Sequence, residues 1–346
     1  MNKDFLSNLL AAPSPSGYEG CASDVFAHYV KPFVRHEFSD NAGNVAFSVG
    51  DGQRIVMISA HIDEIALQVQ HVDDKGFIHF ITDGGIDKKT LPGSTVAIMT
   101  DNGIVHGVIG KKPIHIEHRN NETDDVVAVK DLKIDIGSES KEETLKMVNI
   151  GDPIKICDIP LNLGEHRFSG RGLDDKTGVA VVAEVLKILS THNLKNVKVY
   201  GVACTQEEVG GTGAILAANH INPSVSIDYD VTFATDDDNV SPNEWGDIKL
   251  GKGGCIAHGP DNNRKLISTI KQCCISHDIP YQEFAVKSGM TNTVHIKQTA
   301  DDCMTALLSI PNRNMHTPVE VCDERDLDSL VNMTVETILA IENCTV

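Results

Sequence analysis

Between residues 66 and 160 the helical spacing that marks the rest of the chain disappears. Short β-rich runs take its place, separated by turn signals such as Asp73-Asp74-Lys75-Gly76 and Asp101-Asn102-Gly103. On either side of this stretch strands and helices alternate. Phe5, Leu6, Leu9 and Leu10 keep the spacing of a first helix, which Pro13-Ser14-Pro15-Ser16-Gly17 ends as a turn, and Ile55 to Ala60 is a short apolar run of buried-strand type. Helical patterning returns from Asp174 to Leu189, followed by a strand from Val197 to Ala203. The residues from Lys265 to His277 read as a helix and those from Thr305 to Ile310 as a strand. Leu327, Leu330, Val331, Val335, Ile338 and Leu339 mark one face of a final amphipathic helix. The pattern predicts one discontinuous α/β domain, residues 1–65 and 164–346, with a small β domain, residues 66–163, inserted after the strand that ends at His61.

A chain of 346 residues is long enough for two cores, and 41% hydrophobic residues suffice to fill them. The 30 Lys+Arg against 49 Asp+Glu leave a net charge of −19, which repels a phosphate backbone and an anionic membrane surface. Nucleic acid and membrane are therefore excluded as expected partners. The nine cysteines are an odd number and include no C-x-x-C pair, which speaks against a disulfide framework or a thiolate zinc site. Asp4 and Asn8 interrupt the N-terminal apolar stretch, so it reads as a helix and not as a signal peptide. No apolar run approaches the roughly 18 residues of a membrane span. A cytoplasmic location is the expectation.

The chemistry gathers where apolar strands stop, the place at which open α/β sheets bind ligands. In His61-Ile62-Asp63 an imidazole is available as a metal ligand, and a carboxylate two residues on can fix its other nitrogen. Asp174 and Asp175 precede a helix; capping accounts for Asp175, whereas the two oxygens of Asp174 could bridge two cations. Glu207 and Glu208 follow a strand directly, and neighbours in extended backbone point opposite ways, so one can hold a metal while the other acts on a water. Asp228 and Asp230 end another strand, and His316 follows the strand at 305–310. Taken singly, each has a bland reading as a cap, a solvated turn or a surface histidine. Together they supply a nitrogen and oxygen donor set suited to zinc, cobalt or manganese.

With these residues in view, the chain resembles the dinuclear metallo-aminopeptidases that include the glutamyl aminopeptidases and the tetrahedral (TET) aminopeptidases, some of which are labelled endoglucanases. The resemblance covers essentially the whole chain. It is carried by Ala60-His61-Ile-Asp63-Glu64-Ile65, Gly107 to Pro113, Leu132 to Gly137, Gly172-Leu-Asp174-Asp-Lys176, Gln206-Glu207-Glu208-Val-Gly210, Asp230-Val-Thr232, Leu250 to Gly253 and Asn314-Met-His316-Thr-Pro-Val-Glu320. It implies a mixed-sheet metallopeptidase domain with helices on both faces and an inserted β-barrel-like dimerisation domain. By the same resemblance His61, Asp174 and Asp230 hold one divalent metal and Asp174, Glu208 and His316 the other, with Asp174 bridging. Glu207 is then the general base and acid, and Asp63 orients His61. Zinc is the first expectation for the two ions, with cobalt or manganese as alternatives. The implied substrates are short peptides, and the implied assembly is a homo-oligomer in which dimers build a dodecamer around a chamber. One departure stands out: where the family usually has Gly-Thr-Asp-Ala, this chain has Gly289-Met290-Thr291-Asn292-Thr293, and Asn292 keeps the shape of Asp without its charge.

Three functions compete at this level. An aminopeptidase uses a water activated by metal and by Glu207. A glycoside hydrolase needs only a carboxylate pair and leaves His61 and His316 unexplained. A non-catalytic metal-bearing scaffold has no use for the extra glutamate.

Overall fold

The computed structural model describes residues 1–117, 128–157 and 160–343. Its larger unit is built on an eight-stranded sheet in the order Arg35–Ser39, Val45–Val49, Val197–Cys204, Arg54–His61, Val225–Phe233, Met304–Asn312, Gly254–His258 and Tyr281–Ala285. The third to sixth strands of this order run parallel, and each is a nearly continuous buried run, as parallel strands covered on both faces must be. Their register places Cys204 opposite His61, Ser59 opposite Asp228 and Asp230 opposite Ser309, so the carboxyl ends finish together.

Alternate residues of each strand feed two helical layers. Val56 and Ile58 face a core shared with helices Lys3–Ala11, Gly20–Val30, Leu173–Leu189, Arg264–Ser276 and Glu324–Glu342, through residues such as Leu9, Phe26, Val182, Ile270 and Ile338. Met57 and Val202 face the other way, onto Ala217 of helix Thr212–Ile221 and Ile296 of helix Asn292–Thr299. The expected alternation of strand and helix is thus an α/β layer structure with a mixed sheet.

The stretch without helical spacing forms a closed barrel in the order Ala66–Val72, Ile78–Asp83, Ile134–Asp135, Gly103–Ile109, Thr95–Thr100 and Pro153–Ile156. It encloses a separate core that includes Leu67, Phe80, Val96, Ile98, Ile134 and Ile154. Just beyond it, Leu161–Leu163 pairs with Arg167–Gly170, which pairs in turn with Glu320–Asp323, so a three-stranded sheet straddles residue 163. Among the described residues no helix is long and apolar enough to cross a membrane.

Strands Arg35–Ser39, Gly254–His258 and Tyr281–Ala285 were not legible in the pattern. The first and last lie at sheet edges, where exposure relaxes the demand for apolar residues, and Arg35-His36-Glu37 carries no alternation to read. The helix from 173 to 189 was legible, yet Asp174 and Asp175 at its start have non-helical backbone, which frees both carboxylates from the helix surface.

Helix Leu173–Leu189 approaches the sheet so closely at Gly201 that a β-carbon there would lie 2.5 Å from Leu186 Cδ1 and 3.0 Å from Val182 Cγ1. Gly201→Ala overpacks this contact and is expected to lower unfolding stability by about 1–3 kcal/mol, measured by urea denaturation.

Candidate metal centre

Each candidate side chain is delivered by the end of a central element. His61 is the last residue of its strand, Asp230 lies near the end of the neighbouring one, and Glu207 and Glu208 occupy the turn after Val197–Cys204. His316 lies in the turn after Met304–Asn312, and Asp174 opens the helix that crosses beneath the sheet. Two of these turns hold non-glycine residues in the left-handed region, Gln206 at φ 57° and His316 at φ 62°. Such conformations cost of order 1–3 kcal/mol and persist where surrounding bonds enforce them. Here the Gln206 N–H donates to Glu19 Oε1 at 3.2 Å and the His316 N–H donates to Glu320 Oε1 at 2.9 Å.

Asp174 is the centre of the geometry. Its Oδ1 lies 2.9 Å from His61 Nε2, and its Oδ2 lies 3.3 Å from His316 Nε2, which is also 3.6 Å from Glu208 Oε1. Donor atoms of His61, Asp174 and Asp230 lie within 4.8 Å of one another, and so do those of Asp174, Glu208 and His316. The structure therefore brings together the same two triplets, sharing one carboxylate, that the resemblance implied. Three carboxylates and two imidazoles in this arrangement fit two divalent cations: hard oxygen and borderline nitrogen donors, mostly buried, with one carboxylate offering an oxygen to each side.

The electrostatics point the same way. Burial, and after it the charge of Asp174, pushes the carboxyls of Asp230 and Glu208 well above the carboxylate range. The hydrogen bond to Asp174 raises His316 to about 10. Burial opposes protonation of His61, but Asp174 and Asp63 outweigh it and hold this imidazole well above its usual value. The carboxylates thus draw positive charge into the site, and divalent cations answer the same demand with neutral imidazoles as ligands.

Glu207 belongs to neither triplet. Burial raises its carboxyl above the usual range, and the charges of Asp174 and Asp63 add to the effect. Asp63 is fully buried and does more than orient an imidazole. His61 Nδ1 lies 3.1 Å from the Asp63 carbonyl oxygen and 3.3 Å from Oδ1. The Asp63 carboxylate also accepts the Glu207 N–H at 3.0 Å, the Glu208 N–H at 3.2 Å and the Ser16 hydroxyl at 2.6 Å, so it fastens the turn carrying both glutamates.

Glu320 was quoted in the sequence only as the end of a motif, without a role. It accepts the Asp174 N–H at 3.2 Å and the His316 N–H at 2.9 Å, and so supports two candidate ligands from behind. Burial, then Asp174, lifts its carboxyl to about 8. The signal available in sequence was an acid opening the short strand Glu320–Asp323. Asp175 accepts the Gly178 N–H at 3.0 Å, which is the capping role read for it. Asp228 is held by the hydroxyls of Ser59 at 2.7 Å and Thr293 at 3.1 Å. The departing residue Asn292 is buried at the start of helix Asn292–Thr299, next to that threonine.

Asp63→Asn keeps the shape of the side chain but faces one of its N–H or hydroxyl donors with an amide NH2. The expected loss is about 1–3 kcal/mol of stability, the cost of a buried donor left unpaired, read from denaturation of the variant beside the parent.

Comparison with known proteins agrees with this geometry. The family model for M42 glutamyl aminopeptidase matches residues 43–333. Lysyl aminopeptidase of Pyrococcus furiosus is 31% identical over 335 residues, covering 95% of this chain and 94% of that protein. Among solved structures, a TET aminopeptidase from a marine sediment Thaumarchaeota archaeon is similar with a TM-score of 0.91 and 28% identity, covering 97% of this chain and 95% of that one. The Pyrococcus horikoshii TET1 peptidase, which can assemble into a tetrahedron or a large octahedral shell, is similar with a TM-score of 0.87 and 32% identity, over 96% of this chain and 98% of that one.

Proposed function

The chain belongs to the M42 glutamyl aminopeptidase family, and we propose that it removes N-terminal residues from short peptides with two divalent cations, one held by His61, Asp174 and Asp230 and the other by Asp174, Glu208 and His316. The observation that carries this reading is Asp174 turning one oxygen to each imidazole, with Glu207 beside it and outside both donor sets. Zinc is the first candidate for the cations, and cobalt or manganese would suit the same donors. When bound, such cations act as Lewis acids that lower the pKa of a coordinated water towards neutrality and polarise a carbonyl.

The chain's own residues supply the rest. Glu207 takes a proton from the attacking water and hands it to the departing amine. Asp63 keeps the backbone of Glu207 and Glu208 in place, in a turn and not in the extended backbone expected for them. Glu320 steadies the backbone of Asp174 and His316. A glycoside-hydrolase reading has no use for His61 and His316, and a scaffold reading has none for Glu207.

The closed barrel is assigned as the dimerisation domain, residues 66–163, inserted in a catalytic domain formed by residues 1–65 and 164–346. Dimers would then build a dodecamer, in keeping with the tetrahedral assembly of the TET1 peptidase. A cytoplasmic location accords with the free thiols of the described cysteines.

Two experiments test the reading. Glu207→Gln is expected to leave folding and metal content nearly unchanged while activity falls by at least about 100-fold, read from peptidase assays beside elemental analysis. Loss of metal in this variant would exchange the roles of the two glutamates. Leucyl, glutamyl and lysyl anilides, their N-acetylated forms and carboxymethylcellulose are then offered before and after chelation. Hydrolysis confined to free N-termini and abolished by chelator is expected; equal rates on acetylated peptides, or chelator-resistant cellulose cleavage, would overturn the assignment.

A further inference from the structure

The two candidate imidazoles are backed from two different units, and His61 has the Asp63 carboxylate beside its Nδ1 as well. Each turns Nε2 to Asp174, and each places Nδ1 on a backbone carbonyl: His61 on Asp63 at 3.1 Å and His316 on Gly85 at 2.7 Å. Asp63 lies in the α/β unit, two residues past the strand that carries His61. Gly85 belongs to the barrel. Strand Ile78–Asp83 ends two residues before it, and Ile86, immediately after, is already in the barrel core.

Both positions leave no room for a side chain. Gly84 has φ +81°, and a β-carbon on it would lie 2.7 Å from Ile65 Cγ2 and 3.2 Å from Glu208 Oε2. A β-carbon on Gly85 would lie 2.9 Å from His316 Nδ1 and 3.2 Å from Cε1. At this corner the barrel therefore approaches Glu208 and His316 through its backbone. Thr90 and Ile156 of the barrel also line the small cavity that borders Asp174, Glu208 and His316. An N–H bonded to a fixed carbonyl sets the imidazole tautomer and ring orientation and leaves the other nitrogen to ligate.

We propose that Gly84 and Gly85 are positioning residues for one half of the centre: the docked barrel holds His316 through the Gly85 carbonyl, so cation affinity at the His316 position depends on the barrel while that at the His61 position does not. The inference rests on the two-cation reading above and adds an asymmetry to it.

The test uses the full chain, with cobalt or zinc affinity measured against a competing chelator and each position identified by anomalous diffraction. Gly85→Ala is expected to weaken the Asp174, Glu208 and His316 position by about 10–100-fold, the usual cost of losing a partner behind a histidine ligand, with the His61 position unchanged. Gly93→Ala is the control, because it strains a barrel turn at φ +93° with nothing within 4 Å and should leave both affinities intact. Unaltered affinity in Gly85→Ala, equal loss at both positions, or the same loss in Gly93→Ala overturns the proposal while the two-cation reading stands. A parent chain that binds no cation at either position overturns both. If Gly85→Ala does not fold, a crystal structure of the metal-loaded parent decides: ligation through Nε2 with Nδ1 on Gly85 O is expected, and ligation through Nδ1, or a Gly85 carbonyl turned away, overturns the proposal.

Discussion

Asp174 is a buried carboxylate with a histidine on each oxygen, and the crowding of like charges around it is the constraint to which the rest of the molecule answers. Asp230, Glu208 and Glu207 stand close enough to feel its charge, and burial has already made their ionised forms costly. Burying even one ion leaves an effective penalty of several kcal/mol, which only excellent geometry and positive counter-charge offset. Three adjoining carboxylates are tolerable because two imidazoles face them, and they become favourable when divalent cations sit among them.

Holding that cluster requires rigid backing, and the fold supplies it from several directions. The four parallel strands end in register, so turns from different parts of the chain converge above the sheet. Asp63 ties the glutamate turn to the strand of His61 and, through Ser16, to the N-terminal turn. Glu64 extends this stitching: it accepts the Ser14 N–H at 2.8 Å and pairs with Arg171 and Lys176, two buried cations near the start of the helix that carries Asp174. Glu320 completes the set from the strand after His316. The acids nearest the ligands thus bind backbone N–H groups, which locks the turns without adding bulk.

The barrel occupies a different place in this scheme. Among the described residues it has its own core, which shares no residue with the cores of the α/β unit. Yet its Gly84-Gly85 corner reaches Glu208 and His316, and the absence of side chains there is what permits the approach. The docking of the two units and the geometry around His316 are therefore parts of one structural problem.

Much of this was determined by the sequence alone. Apolar runs that stop at His61, Asp230 and the Glu207-Glu208 pair announced an α/β layer structure with polar strand ends, the place where open sheets bind ligands. The break in helical spacing after residue 66 announced a separate β unit. The ligand triplets followed from resemblance, which reads motif order without knowing distances. Tertiary structure decided what depends on pairing across the chain. Edge strands such as Arg35–Ser39 carry little pattern because solvent makes no demand on them. The support given by Glu320 could not be read, since its partners Asp174 and His316 are joined only through space. The approach of Gly85 to His316 spans 231 residues of sequence separation, and a glycine pair at a strand end reads simply as a turn. Local periodicity reports which face of an element is buried; only the packed fold decides which backbone carbonyl meets which ring.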